Sequence, residues 1–284
     1  MIRTETRGAF VYVTLDAPAT RNALTDVMVV DLLEAVGRAE SQPSIRALVI
    51  RGAGGHFCAG GDLSRFRELM SLPARDGGTD PIATFNRAFG TLLQRLQGAA
   101  VATVAVVDGA AMGGGVGLAA CCDFVLAGSS ALFGMPEVTL GLPPAQVAPF
   151  IAARLGEGPA LRLMLTGRRL KAEEARVCGL ADEVLDGDAL ELRLSALLTE
   201  LGRAEPAALR ATKAILHRHR TASLSDTLDF AAARFAASLR SGTAAEGLAA
   251  LSAKRAARWV STPAKATEGT TSLPPDSTAG GKRT

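Results

Sequence analysis

The stretch DGAAMGGGVGLAACCDFVLAGSSALFGMPEVTLGL, residues 108–142, decides how the chain is read. An apolar strand-like run, residues 101–107, leads into it. Gly113, Gly114 and Gly115 follow, and then a small-residue run, 116–122, that can close into a helix. A second apolar run, 124–127, leads to Phe133-Gly134-Met135-Pro136-Glu137. A strand, a glycine turn and a helix start leave backbone N–H groups without partners of their own. Such donors can hold a phosphate, a carboxylate or a developing oxyanion. Glu137 is a lone carboxylate among apolar residues, a setting that pushes its pKa up toward acid/base use. The two features together predict a catalytic site.

The remainder of the chain narrows the options. Its 284 residues suffice for one large domain or two small ones with a sizeable core. Hydrophobic residues make up 48% and charged ones 21%, a globular balance. The net charge of +3 comes from scattered basic residues and only 4% are aromatic, which argues against nucleic acid as a partner. The longest apolar region, 98–122, is broken by Asp108 and by glycines, so no membrane helix is expected there. The start, MIRTETRGAF, has no apolar signal core. Cys58, Cys121, Cys122 and Cys178 form no CxxC pair and have no histidine at ligand spacing. They read as small buried hydrophobes of a reduced, cytoplasmic protein, and no metal is expected.

In chain order, residues 2–6 and 9–15 read as a hairpin turning at Arg7-Gly8. Thr25 is the expected N-cap of a helix over 26–40 that presents Val27, Val30, Leu33 and Ala35 on one face. Residues 47–50 read as a strand buried on both faces. The glycine-rich segment RGAGGHFCAGGDL, 51–63, opens a helix over 63–70. Residues 71–81 read as a mobile loop and 82–96 as an amphipathic helix. Strand and helix in alternation predict parallel strands with crossovers. Beyond Pro143-Pro144, helices are expected over 145–155, 158–165, 171–178, 189–201, 206–216, 225–239 and 244–259. A short strand, 182–185, interrupts them, and 260–284 reads as a disordered tail.

HFCAGGDL, 56–63, and the stretch with its GGG turn, CDF and PE resemble the crotonase family, the enoyl-CoA hydratase/isomerase superfamily. RNALT at 21–25, LTGRRLKAEEARVCGLADEV at 165–184 and EGLAALSAKRAARW at 246–259 extend the likeness over nearly the whole chain. The resemblance implies an α/β crotonase fold of repeated ββα units: a core over 1–200, a helical C-terminal trimerisation region over 201–259, and the tail. It implies acyl-CoA substrates, no cofactor beyond that CoA, and homotrimers or dimers of trimers. Carried over by motif, an oxyanion hole is expected at the N–H groups of Ala59 and Gly114, with Glu137 as acid/base. Ala23, Ala59, Gly60, Gly61, Asp62, Leu63, Gly113, Gly114 and Gly117 are the expected substrate contacts, with Phe235 and Lys254 at the CoA nucleotide.

Hydratases of the family use two glutamates, and the second position is Gly117 here. Glu137 alone suits a Δ3-Δ2 enoyl-CoA isomerase, or a hydratase that holds its water with another group. MGGGVGLA and FGMPEVTLGLPPAQVAPF narrow the resemblance to the branch that hydrates isohexenylglutaconyl-CoA and 3-methylglutaconyl-CoA, whose members also carry glycine there. A small Gly117 would leave room for a 3-branched substrate. A hydratase is therefore the first expectation. An isomerase is the alternative, and a non-catalytic acyl-CoA-binding paralogue is the reading from another class.

Other motifs have plainer explanations. Gly115-x-Gly117-x-x-Ala120 matches a dinucleotide fingerprint, but the acid that such a site needs belongs at the end of the next strand, and Glu137 lies beyond it. His56 reads as a turn cap, His217 and His219 as a solvated helix face, and Asp62 and Asp123 as structural acids. Ser64 and Ser129 lack triad partners. Gln146 and Glu68 are candidates for holding water or the polar end of a substrate, against an ordinary helix-surface role.

Overall fold

The computed structural model describes residues 1–72 and 80–263. The central part of the expected loop (73–79) and most of the expected tail (264–284) lie outside the described residues.

The chain opens with strands β1 (Ile2–Arg7) and β2 (Phe10–Leu15), then α1 (Asp26–Ser41), β3 (Ala47–Gly52), α2 (Leu63–Met70) and α3 (Pro81–Gln97). The organising stretch forms β4 (Ala102–Val107), β5 (Ala110–Met112), α4 (Gly114–Ala120), β6 (Phe124–Gly128) and β7 (Leu132–Gly134). Next come α5 (Ala148–Leu155), α6 (Glu157–Thr166), β8 (Arg169–Lys171), α7 (Ala172–Val177), β9 (Glu183–Leu185) and α8 (Asp188–Gly202). Helices α9 (Pro206–His219), α10 (Leu224–Arg240) and α11 (Thr243–Ser252) end the described chain.

Six strands form one sheet in the order β1-β2-β3-β4-β6-β9, antiparallel only at the hairpin. Its inner strands β3, β4 and β6 read as continuous apolar runs because both faces are covered. Val13, Leu48, Ile50, Ala105 and Val107 pack in the cluster that includes Met28 of α1 and Leu93 of α3. Phe10, Val49, Val104 and Val106 pack under Leu190, Leu194 and Leu197 of α8. A second sheet, β5-β7-β8, has three strands of three residues each. The chain visits both sheets in turn, β4 then β5 then α4, and β6 then β7 then α5. Each ββα pass sets a glycine-rich corner beside the previous one.

Several expectations need correction. In α1 the buried face is Met28, Leu32, Ala35, Val36 and Ala39, while Val27 and Val30 are 63% and 54% exposed. The helix carries two adjacent apolar stripes, and its packing on α3 and the sheet selects the second. The second sheet was not anticipated, and β8 takes the start of the helix expected over 171–178. The helix expected over 145–155 starts at Ala148, and the last helix stops at Ser252. Trp259 lies beyond it with its indole N–H on the Arg203 carbonyl, 3.0 Å. The expected tail starts too early, since Ser261 N–H is fastened to the Gly202 carbonyl at 2.9 Å. Among the described residues no helix is long and apolar enough to cross a membrane, and no His/Cys/Asp/Glu group could hold a metal. All four cysteines are free, and burial pushes the Cys58 and Cys122 thiols up to about 12, as suits inert packing residues.

α9 is tied to the sheet by a buried cation. Lys213 is 8% exposed, and its Nζ donates to the Val101 carbonyl at 2.8 Å and to Asp123 Oδ2 at 2.6 Å. Asp123 also accepts from Thr103 N–H at 2.8 Å, which makes it structural, as expected. Removing one member of a buried pair strands the other, although partial solvent access at Asp123 softens the loss. Lys213→Met should lower unfolding stability by about 2–3 kcal/mol in urea melts. A change under about 0.5 kcal/mol would show that the pair does not anchor α9.

Candidate active site

Two glycine corners distant in sequence meet at one point. Phe57 and Cys58 N–H groups donate to the Ala110 carbonyl (3.1 and 3.0 Å), and Met112 N–H donates to the Cys58 carbonyl (2.9 Å). This lays the FCAGGD segment along β5. Gly60 has φ +92°, and a Cβ there would lie 2.8 Å from the Met112 carbonyl oxygen and 3.6 Å from Gly114 N. Only glycine can turn the chain there against that backbone.

The two expected oxyanion donors fare differently. Gly114 opens α4, and among the described residues its N–H has no acceptor. Ala59 N–H, by contrast, already donates to the Arg21 carbonyl at 2.9 Å. The free donor of that motif is Gly61. Leu24 N–H bonds the Gly60 carbonyl (2.7 Å) and Asp62 N–H bonds the Leu24 carbonyl (3.1 Å), so Gly61 N–H faces away from Leu24 and has no acceptor among the described residues. The bond that occupies Ala59 comes from a distant turn, where Arg21 sits at φ +51°. The doublet Gly60-Gly61 was the sequence signal, because a reversal after Ala59 re-aims the next N–H.

Glu137 starts a short 3-10 turn, Glu137–Leu140, just beyond β7. Gly113 N–H donates to the Gly134 carbonyl at 2.8 Å, so the two corners are clamped together. Gly113 has φ +49°, and a Cβ there would lie 2.8 Å from Glu137 Oε1. The carboxylate therefore rests on a bare Cα beside the start of α4. Its Oε2 is buried with no hydrogen-bond partner, and burial raises the carboxyl above its ordinary value of 4.5.

Apolar side chains close the chamber. A Cβ at Gly114 would meet Phe89 Cζ at 3.1 Å and Leu24 Cδ1 at 3.2 Å. At Gly117 it would meet Val147 Cγ1 at 3.0 Å, Val147 Cγ2 at 3.2 Å and Leu93 Cδ1 at 3.5 Å. The place of the missing glutamate is therefore filled by Val147. That corrects the expectation of spare room for a 3-branched substrate. Phe89, Leu93 and Val147 were not singled out by sequence, although Phe89 and Leu93 lie one turn apart on α3.

The other expected residues are placed as follows. Asp62 caps α2, accepting from Ser64 N–H (2.9 Å) and hydroxyl (2.7 Å), and these bonds hold its carboxyl below the usual range. Leu63 is exposed on that helix, and Ala23 is half-buried in the segment before α1. His56 Nδ1 accepts from Ala110 N–H at 3.2 Å, the structural use expected of it. Glu68 is exposed and paired with Arg65 at 2.9 Å, the ordinary helix-surface role. Gln146 Nε2 donates to Asn86 Oδ1 of α3 at 2.9 Å. Phe235 is 68% exposed on α10, and Lys254, at φ +51°, lies just beyond the end of α11. A cavity of about 310 Å³ beside the FCAGGD corner is lined by Arg21, His56, Ala59, Met112 and Arg169 among others.

Comparison with known proteins gives the same architecture. The family model described as enoyl-CoA hydratase/isomerase matches residues 5–262. The solved enoyl-CoA hydratase/isomerase from Marinobacter aquaeolei is 40% identical with a TM-score of 0.88, covering 92% of this chain and 99% of its own. Pseudomonas aeruginosa AtuE is also 40% identical, with a TM-score of 0.87 and the same coverage. The 2,3-dehydroadipyl-CoA hydratase of Escherichia coli is 35% identical over 213 residues, 74% of this chain and 79% of that protein. The chain belongs to the enoyl-CoA hydratase/isomerase family and has its crotonase fold of ββα units with a helical C-terminal region.

Proposed function

We propose that the protein is a hydratase that adds water across the 2,3 double bond of an enoyl-CoA thioester. The observation that carries this reading is Glu137, a desolvated carboxylate with one unpartnered oxygen, set against Gly113 beside two free backbone donors. The thioester oxygen would sit on the Gly61 and Gly114 N–H groups. Ionised Glu137 takes a proton from water as the water oxygen bonds to C3. The double-bond electrons pass to the thioester oxygen, giving an enolate held by the two donors. Protonated Glu137 then returns the proton to C2 and is ionised again. Preorganised donors of this kind contribute about 3 kcal/mol each to such a step. Arg21 and Arg169, in the cavity beside Ala59, suit the phosphates of CoA. One relative is named for 2,3-dehydroadipyl-CoA, an ester whose acyl chain ends in a second carboxyl group.

A second reading rests on Gly117, which leaves Glu137 without a carboxylate partner. A lone acid/base moving a proton between C2 and C4 would make the protein a Δ3-Δ2 isomerase. Mass spectrometry of enoyl-CoA esters incubated in heavy-oxygen water separates the two. The hydratase reading expects label in the acyl chain, and a moved double bond at unchanged mass would replace it with the isomerase. Glu137→Gln should lower kcat by about 10³-fold. Because the reaction starts from ionised Glu137, kcat/KM should fall on the acid side through a pKa above the ordinary 4.5. Burial makes the ionised form costly in the folded state, so wild-type stability falls as pH rises through that raised value. The Gln variant should therefore gain in Tm relative to wild type as pH rises. An acid limb at or below 4.5 would remove Glu137 from the role.

The donor assignment has its own test. In a crystal with a 3-hydroxyacyl-CoA, the thioester oxygen should lie about 2.7–3.1 Å from the N atoms of Gly61 and Gly114. Contact with Ala59 N instead would restore the expectation drawn from the motif.

We infer a homotrimer or a pair of trimers. Leu228, Phe235 and Leu239 on α10 and Leu248 and Leu251 on α11 are all exposed, and this apolar surface supports burial against further copies. Light scattering should give three or six times the chain mass of 29.2 kDa. A monomer would overturn the inference.

A further inference from the structure

We propose that Asn22 is the positioning residue of the oxyanion site: its buried amide decides that Ala59 N–H is occupied and that Gly61 N–H is left for the thioester oxygen. This rests on the acyl-CoA reading of the site and names what aims one of its two donors. Asn22 is fully buried, and its side chain makes three hydrogen bonds. Its Oδ1 accepts from Ala17 N–H at 2.9 Å. Its Nδ2 donates to the Ala53 carbonyl at 2.9 Å and to the His56 carbonyl at 2.8 Å. The first bond lies inside the turn 17–22, and the other two cross to the loop that leaves β3. That loop folds back at Gly52, where a Cβ would collide with the His56 carbonyl oxygen and lie 2.8 Å from Asn22 Nδ2. One amide therefore spans both ends of the loop 53–56, and Phe57-Cys58-Ala59 starts at its second end.

The consequence falls on the oxyanion corner. Arg21 and Asn22 hold φ of +51° and +59°, the left-handed region that most side chains disfavour. In that conformation the Arg21 carbonyl meets Ala59 N–H at 2.9 Å. Leu24 follows, and its backbone bonds the Gly60 carbonyl and Asp62 N–H on either side of Gly61. The bonds on this side of Gly61 thus all come from residues 21–24, and Asn22 is the side chain that fixes that stretch to the loop. Asparagine suits the place twice. It tolerates positive φ, and it carries a donor and an acceptor on one short side chain. Asn22 acts through the Arg21 and Leu24 backbones.

Asn22→Gly tests this, because glycine takes φ +59° freely and only the three side-chain bonds are lost. The probe is butyryl-CoA with heavy carbon at its carbonyl, an ester with no double bond to react. In wild type its infrared carbonyl stretch should fall on binding, as two N–H groups polarise the thioester. In Asn22→Gly much of that fall should be lost. For crotonyl-CoA its kcat should drop about 10²-fold with KM within about threefold of wild type. Hydrogen exchange of the Ala59 amide should quicken by about tenfold or more. A residue needed only for stability would lower Tm and leave the stretch and kcat of the folded variant unchanged. That result overturns the proposal, and so does wild-type Ala59 exchange as fast as a free amide. If crotonyl-CoA is not turned over, the stretch and the exchange decide. If wild type shows no fall in the stretch, the oxyanion reading fails and the proposal fails with it. A fall in wild type that the variant retains sinks the proposal alone. Circular dichroism at the assay temperature establishes folding. If Asn22→Gly does not fold, Asn22→Asp takes its place. It keeps the size and the Ala17 bond but sets an oxygen against the two carbonyls.

Discussion

The site depends on a carboxylate resting against a carbon that has no side chain. Glu137 Oε1 lies 2.8 Å from where a Cβ of Gly113 would stand, and the Gly113 N–H is bonded to the corner that delivers Glu137. The backbone bond and the bare Cα are complementary parts of one contact. The bond sets the corners at sheet spacing, and glycine lets the carboxylate fill the space between them. Both requirements fall on two strands of three residues, β5 and β7, too short to stand without the large sheet behind them. The apolar faces of β4 and β6 thus support Glu137 and the free N–H groups of Gly61 and Gly114 together.

That support explains which parts of the molecule were legible in the sequence. Residues 47–50, 101–107 and 124–127 announce a sheet buried on both sides, because covering both faces removes the alternation of a half-exposed strand. Thr25 as a cap was legible for a similar reason, since its hydroxyl acts within one turn on Met28 N–H. The small sheet was not legible. Three residues carry no periodicity, and β8 reads locally as the first turn of α7. The buried stripe of α1 was also hidden, because two apolar stripes lie side by side and distant packing chooses between them.

The oxyanion corner shows the same limit at the scale of one hydrogen bond. The FCAGGD motif marks the loop, and Glu137 could be named from its apolar surroundings. Which N–H remains free is settled by Arg21 and Leu24, whose backbone groups engage Ala59 and the residues flanking Gly61. Those bonds cross between segments, and no local pattern records them. Backbone donors are anonymous in a sequence, whereas a carboxylate is visible by its letter.

Gly117 then acquires a different meaning. Read alone it is a deletion, a place where a second carboxylate could stand and does not. In the structure Val147 and Leu93 press on that place, so the exchange replaces a charged group with apolar contact. A chamber with one carboxylate avoids the mutual repulsion of two buried charges, which would raise one pKa strongly. The raised pKa of Glu137 comes instead from burial, its first cause. In the proposed hydration one group accepts and returns the proton, and it can do both only while its affinity for protons stays between those of its two partners. Dry apolar walls move a lone carboxylate in that direction. The filling of the Gly117 position by valine is therefore part of how a single glutamate can suffice.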